Sequence, residues 1–150
     1  MRRSSFAFIA GMFSLAAPGA GSAACLASVV SAPDEAALVG LLNNYRAKVG
    51  LLKLRPVADL TDSARSNSAQ MAVSGKLQHQ VREGRLTWAP PGSSAGENLV
   101  VATDATLAMD GLVKSPPHRT NMLTPRWRRV GIGAVRNCTG LTYFTMELLQ

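Results

Sequence analysis

The hydrophobic period of this chain changes once, close to its end. From Arg129 onward, Val130, Ile132 and Ala134 alternate with Gly131, Gly133 and Val135. Asn137-Cys138-Thr139-Gly140 is turn-like, and Leu141 to Leu148 resumes the run. Successive side chains of a strand point to opposite faces, so a period of two predicts strands. Two such runs about a short turn predict an antiparallel hairpin. The preceding segments are spaced as helices. Helices first and a hairpin last give an α+β chain, with helices packed on a small antiparallel sheet.

The helical part is punctuated clearly. Ser31-Ala32-Pro33-Asp34 is a start signal, a capping hydroxyl with an acid three residues on. Leu38, Leu41, Leu42, Tyr45 and Val49 follow at helical spacing, and Gly50 is the stop. Leu51 to Val57 reads as a connector broken by Pro56. Asp59 or Thr61 starts a second helix running through Ser74 and ended by Gly75. Its face is thinly apolar (Leu60, Ala64, Met71, Ala72), and such small residues predict close packing against another element. Residues 80–96 read as a loop. Leu99-Val100-Val101 is a short extended segment, and Thr103-Asp104 opens a third helix with Ala105, Ala108, Met109 and Leu112 on one face. Ser115-Pro116-Pro117 ends that helix, because neither proline can continue it. His118 to Leu123 has room for one more turn.

The N-terminus is of another kind. Arg2 and Arg3 precede an apolar stretch, Phe6 to Ala17, and then the small residues Ala20-Gly21-Ser22-Ala23-Ala24. Basic, apolar, small is the order of a secretory signal peptide. The apolar stretch is shorter than the roughly 20 residues that span a bilayer. Residues 1–24 are therefore expected to be a signal peptide, 25–35 a tether and 36–150 a single domain. The mature product is expected to be secreted, periplasmic or extracellular, with no transmembrane segment. Two of the 16 Lys and Arg leave with the signal, so 14 stand against 9 Asp and Glu, a formal charge of +5. Such a surface favours anionic partners. Aromatic residues are not interleaved with the basic ones, which argues against a nucleic-acid partner.

Cys25 and Cys138 are the only cysteines. In an oxidising compartment an isolated pair is expected to form a disulfide. The competing expectation is that Cys25 is lipidated and anchors the domain.

The chemistry-bearing residues are few. The two histidines, His79 and His118, each follow a break, Gly75 and Pro116-Pro117, and read as lying outside regular helix faces. Glu97 lies in Gly96-Glu97-Asn98 at a loop-to-element junction. Imidazoles and a carboxylate form a usual divalent-metal ligand set with a position left for water, but none of the spacings is a local zinc motif. The alternative is two solvated loop histidines and a carboxylate that caps backbone amides. Ser115 and His118 lie three apart, with intervening prolines that argue against a direct nucleophile–base pair. Trp88 reads as a loop anchor or, alternatively, a ligand contact, and Trp127 as a core-facing residue entering the hairpin.

Taken in order, these strings resemble the CAP superfamily of SCP-like domains: cysteine-rich secretory proteins, antigen 5 and pathogenesis-related proteins, with many bacterial members. The resemblance rests on Leu42 to Gly50, Leu60 with Ala64, Met71 to His79, Gly96-Glu97-Asn98-Leu99, Ser115 to Leu123, Val130 to Gly133 and Tyr143 to Met146. It covers about residues 36–148. It implies an α-β-α sandwich with a cleft lined by His79, Glu97 and His118, a set that can hold a divalent cation, most often zinc. The family's second glutamate, shortly before the second histidine, is missing; Ser115 stands near its place, and Asp110 lies off the buried helix face. Three roles follow as expectations. The domain is a binding module for an envelope, lipid, glycan or protein component. Alternatively it is a zinc-dependent hydrolase, a peptidase or esterase, with Glu97 as ligand or general base. Or His79, Glu97 and His118 form a hydrogen-bonded cluster that only fixes the loops.

Overall fold

The structure, a computed structural model, describes residues 28–150. The expected signal peptide and Cys25 lie outside the described residues, and the tether is described only from residue 28. Helix α1 spans Ala32–Lys48. Pro33 sits in its first turn, where a missing N–H is no loss. Ser31 precedes it as expected, but its hydroxyl donates to Asp34 Oδ2 (2.6 Å) and accepts no backbone amide. Asp34 in turn accepts from Ala105 N (3.2 Å) and Arg136 Nη2 (3.3 Å). The start of α1 is thus tied to two distant segments. Leu38 and Leu42 are fully buried, whereas Val49 falls past the helix and is exposed.

Helix α2, Ala58–Ser74, starts just ahead of the expected caps, with Val57 at the N-cap position and no side-chain cap. Gly75 closes it at φ +69°, donating its N–H to Met71 O. This left-handed turn suits glycine. Helix α3, Ala105–Lys114, is capped by Asp104, whose carboxylate accepts from Thr106 N and Leu107 N. Those two bonds and the nearby Arg136 guanidinium hold the Asp104 carboxyl below its ordinary pKa. Pro116 and Pro117 do end α3, but they also begin α4, Pro116–Met122. His118 is therefore on a helix, contrary to the expectation from sequence.

The main sheet is built from β1 (Val29–Val30), β2 (Arg55–Pro56), β5 (Ala95–Ala102), β6 (Arg129–Arg136) and β7 (Thr142–Leu149). The order is β1-β6-β7-β5, with β2 pairing parallel to β6 and the other pairs antiparallel. The expected hairpin is β6–β7, paired over its whole length from Arg129↔Leu149 to Arg136↔Thr142. Two segments differ from expectation. The connector around Pro56 is a short edge strand, whose ladder bonds come from Arg55 N and Val57 N on either side of the proline. The expected loop 80–96 contains a hairpin, β3 (Val81–Arg82) with β4 (Arg85–Leu86), turned by Glu83 and Gly84 at positive φ, and also the first residues of β5.

The period of two sorts the sheet into two faces. Val130, Ile132 and Ala134 of β6 and Phe144, Met146 and Leu148 of β7 pack against Leu38, Leu42, Ala108, Leu112 and Met122 of α1, α3 and α4. Trp127 belongs to this core, as expected, and donates its indole N–H to Asn121 O (2.8 Å). Arg46 of α1 is fully buried here and donates to the carbonyls of Leu52, Met122 and Thr124. It pins the end of α4. Gly131 and Gly133 face α2. A Cβ at Gly131 would overlap the backbone of Leu60, and one at Gly133 the backbone of Ala64 and Arg65. The helix therefore rests directly on the strand backbone, which is the close packing that Ala64 predicts. The whole is an α-β-α sandwich, with α2 on one face and α1, α3 and α4 on the other.

Candidate functional site

The site lies along β5, an edge strand of the main sheet. Glu97 and Asn98 are consecutive residues of that strand, so their side chains leave opposite faces. Glu97 is thus inside a strand, not at its entry. Its side chain is 1% exposed and serves the α2 layer: Oε1 lies 2.7 Å from His79 Nδ1 and accepts from Gln80 N (3.1 Å). Oε2 accepts from Gln80 Nε2 and Trp88 Nε1, both at 3.2 Å. Asn98 serves the other layer. Its Nδ2 donates to His118 O (3.0 Å), and its Oδ1 accepts from Asn121 Nδ2 (2.9 Å). Gly96 completes the set, since a Cβ there would collide with Asn121 Oδ1. The three residues of Gly96-Glu97-Asn98 thus divide the work. Gly96 leaves room for Asn121, Glu97 holds His79, and Asn98 holds the helix of His118.

The two histidines are tied to consecutive residues of β5, His79 through its ring to Glu97 and His118 through its backbone carbonyl to Asn98. His79 follows α2 and is half exposed, at 51%. His118 is on α4, and its Nδ1 lies 2.9 Å from Ser115 Oγ. The intervening prolines do not prevent this contact, because they initiate the helix that carries the histidine. Burial, and then the charge of His79, hold His118 below the ordinary imidazole pKa. In both rings Nδ1 is engaged, and Nε2 makes no hydrogen bond among the described residues. A groove of about 300 Å³ opens beside His79, lined by Asn67, Gln70, Ser74, Gln78, Gln80 and neighbours.

The profile of the CAP family, the cysteine-rich secretory protein family, matches residues 39–148. The chain is a CAP-family protein. Solved structures show the same fold. An outer surface protein of Borrelia burgdorferi superposes with a TM-score of 0.72 at 13% identity, covering 83% of this chain and 97% of that one. An extracellular SCP-domain protein of Bacillus anthracis gives 0.68 at 21% identity, over 79% of this chain and 40% of the other. A venom allergen-like protein of Schistosoma mansoni gives 0.65 at 13% identity, over 79% and 89%. No curated protein matches the chain.

This CAP domain brings His79 and Glu97 into direct contact, while the ring of His118 is held separately, by Ser115 on the N-terminal side of α4. Among the described residues, no three His, Cys, Asp or Glu side chains are grouped so as to hold a metal ion. Glu97 is saturated by four hydrogen bonds and stands behind His79. Trp88 is tethered by Glu97, as its reading as a loop anchor implies. Asp110 is on the surface, paired with Lys114 Nζ (2.7 Å). Cys138 is not a free thiol.

Sequence reasoning missed Glu147. It is fully buried on β7, directly opposite Glu97 on β5 and Gly131 on β6. Its Oε1 accepts from Ser63 Oγ (2.8 Å) and Gln80 Nε2 (3.0 Å), while Oε2 has no partner. Burial raises its pKa to about 7, and the Glu97 charge adds to the rise. A signal was present: an acid interrupts the apolar run Tyr143 to Leu149, where a strand flanked on both faces has no place for a solvated charge.

Proposed function

We propose that the chain is an exported binding protein whose cleft presents His79 and His118 to an anionic envelope, lipid, glycan or protein component, with a divalent cation, zinc, between them. The observation that carries this reading is that both imidazoles have Nδ1 engaged and Nε2 unengaged among the described residues, on segments bonded to the consecutive β5 residues Glu97 and Asn98. Imidazole nitrogens are donors that zinc takes, with water or ligand oxygen completing its coordination, and outer partners such as Glu97 and Ser115 orient liganding rings. The depressed pKa of His118 favours the neutral, metal-competent ring at neutral pH. The cation would supply a Lewis-acidic contact for a ligand oxygen. Lys76, Arg82 and Arg85, exposed and near His79 in sequence, favour an anionic partner. Glu97 supports binding over hydrolysis, because a carboxylate that already accepts four hydrogen bonds and is almost unexposed is poorly placed as a general base.

Export through residues 1–24, and pairing of Cys25 with Cys138, complete the proposal. No helix among the described residues is long and apolar enough to cross a membrane.

Zinc titration of the purified mature protein tests the site. His79→Ala and His118→Ala are each expected to weaken zinc binding by at least roughly tenfold, since each removes one of two protein ligands. Zinc binding that is absent in the wild type, or indifferent to both substitutions, rules the reading out.

A further inference from the structure

Glu147 lies one strand away from Glu97, side by side with it under α2. Like charges directly opposite on adjacent strands repel, and burial deepens the cost of either charge. A valine at this position would fill the same space without desolvating a carboxyl group. What the acid adds is a set of bonds: to Ser63 Oγ on α2 and to the amide of Gln80. Gln80 spends its Nε2 on both acids at once, on Glu147 Oε1 at 3.0 Å and on Glu97 Oε2 at 3.2 Å, while its backbone N–H serves Glu97 Oε1. It is also the residue directly after His79.

We infer that Glu147 is a positioning residue of the site: it fixes the Gln80 amide, which together with Trp88 locks the Glu97 carboxylate that holds His79 Nδ1 and so sets the ring of His79 beside its groove. The second acid of this site thus comes from β7, behind the first, and among the described residues the His118 ring is bonded by Ser115 and by no acid. The functional meaning of this rests on the cation-binding reading above, but the chain of contacts does not. A carboxyl group with a pKa near 7 is largely neutral at mildly acid pH, so the pair is not held together against two full charges.

The test uses metal-free protein at one fixed pH. Two reporters flank Glu97: the ring nitrogens of His79 and the indole N–H of Trp88, both resolved by NMR. The ring of His118, bonded to Ser115, is the internal control. Glu147→Val is expected to shift both reporters and leave His118 in place. Glu147→Gln keeps an acceptor for Ser63 and Gln80 and is expected to keep the wild-type shifts. In zinc titrations Glu147→Val is expected to lose roughly tenfold in affinity, as outer-sphere partners commonly do. Unchanged His79 and Trp88 signals in a folded Glu147→Val protein would overturn the inference. If that variant does not fold, Gln80→Leu carries the same test from the half-buried side, and unchanged Trp88 and His79 signals there overturn it equally. Absence of zinc binding in the wild type refutes only the cation reading and leaves the reporter shifts to decide this one.

Discussion

Two residues of the site make stability depend on pH, and in opposite directions. Glu147 has a folded pKa of about 7 against an ordinary 4.5, so the native state binds the extra proton between those values. Its contribution to stability is fully present below pH 4.5 and is lost as pH rises through about 7. His118 is shifted the other way: its contribution is present above 6.5 and is lost as pH falls through its depressed folded pKa. The net profile is a composite, and Glu147→Gln separates it. Urea unfolding at about pH 5 and about pH 8 should show the variant gaining on the wild type as pH rises. A stability difference that is the same at both pH values contradicts the burial of an acid with a raised pKa. At this scale the sequence is only partly legible. His79, Glu97 and His118 stand out by type and by their position after breaks. Glu147 is marked only as an acid within an apolar run, and its partners come from two strands, a helix and a loop that only the fold brings together.

Among the elements, the tightest constraint is between β6 and α2. Gly131 and Gly133 have no room for a methyl group, and what blocks it is helix backbone, which cannot rotate aside. Gly131→Ala and Gly133→Ala should each cost about 3 kcal/mol or more, by forced overpacking. Gly40, inside α1, is the contrast, since a methyl group there would have nothing within 4 Å. Gly40→Ala should raise stability by about 0.5–1 kcal/mol through helix propensity. Denaturant midpoints check all three, and a tolerated Gly131→Ala would mean that α2 is not seated as described. The alternation of β6, the stop at Gly75 and the buried stripe of α3 are all readable from spacing. The hairpin β3–β4 is not, since its strands are two residues long and its turn, Glu83-Gly84, lies among several other turn signals. Helix α4 reads from sequence as no more than a single turn, because prolines that end one helix are equally suited to begin the next.

For the molecule as a whole, the sandwich follows from counting faces: one helix with small residues for the glycine face, three helices for the apolar one. The sequence order of helices and hairpin conveys the class, and the family resemblance conveys the layer arrangement. The proposed Cys25–Cys138 link would join the mature N-terminus to the β6–β7 turn, closing a loop of more than 100 residues. By the chain-entropy model that is worth about 4–5 kcal/mol. Intact-mass measurement of exported protein should find two hydrogens fewer than in the reduced chain; a diacylglycerol addition at Cys25 would instead establish a lipid anchor. Strand β5 is an edge of the main sheet, and the segments holding His79, Trp88 and His118 lie along it. Exposed edges invite strand pairing between molecules. Those segments are bonded to Glu97 and Asn98 of the strand, so shortening them is expected to leave its edge more open to such pairing. Substitutions of single side chains there, with the lengths of the segments left as they are, should keep the protein monodisperse in light scattering.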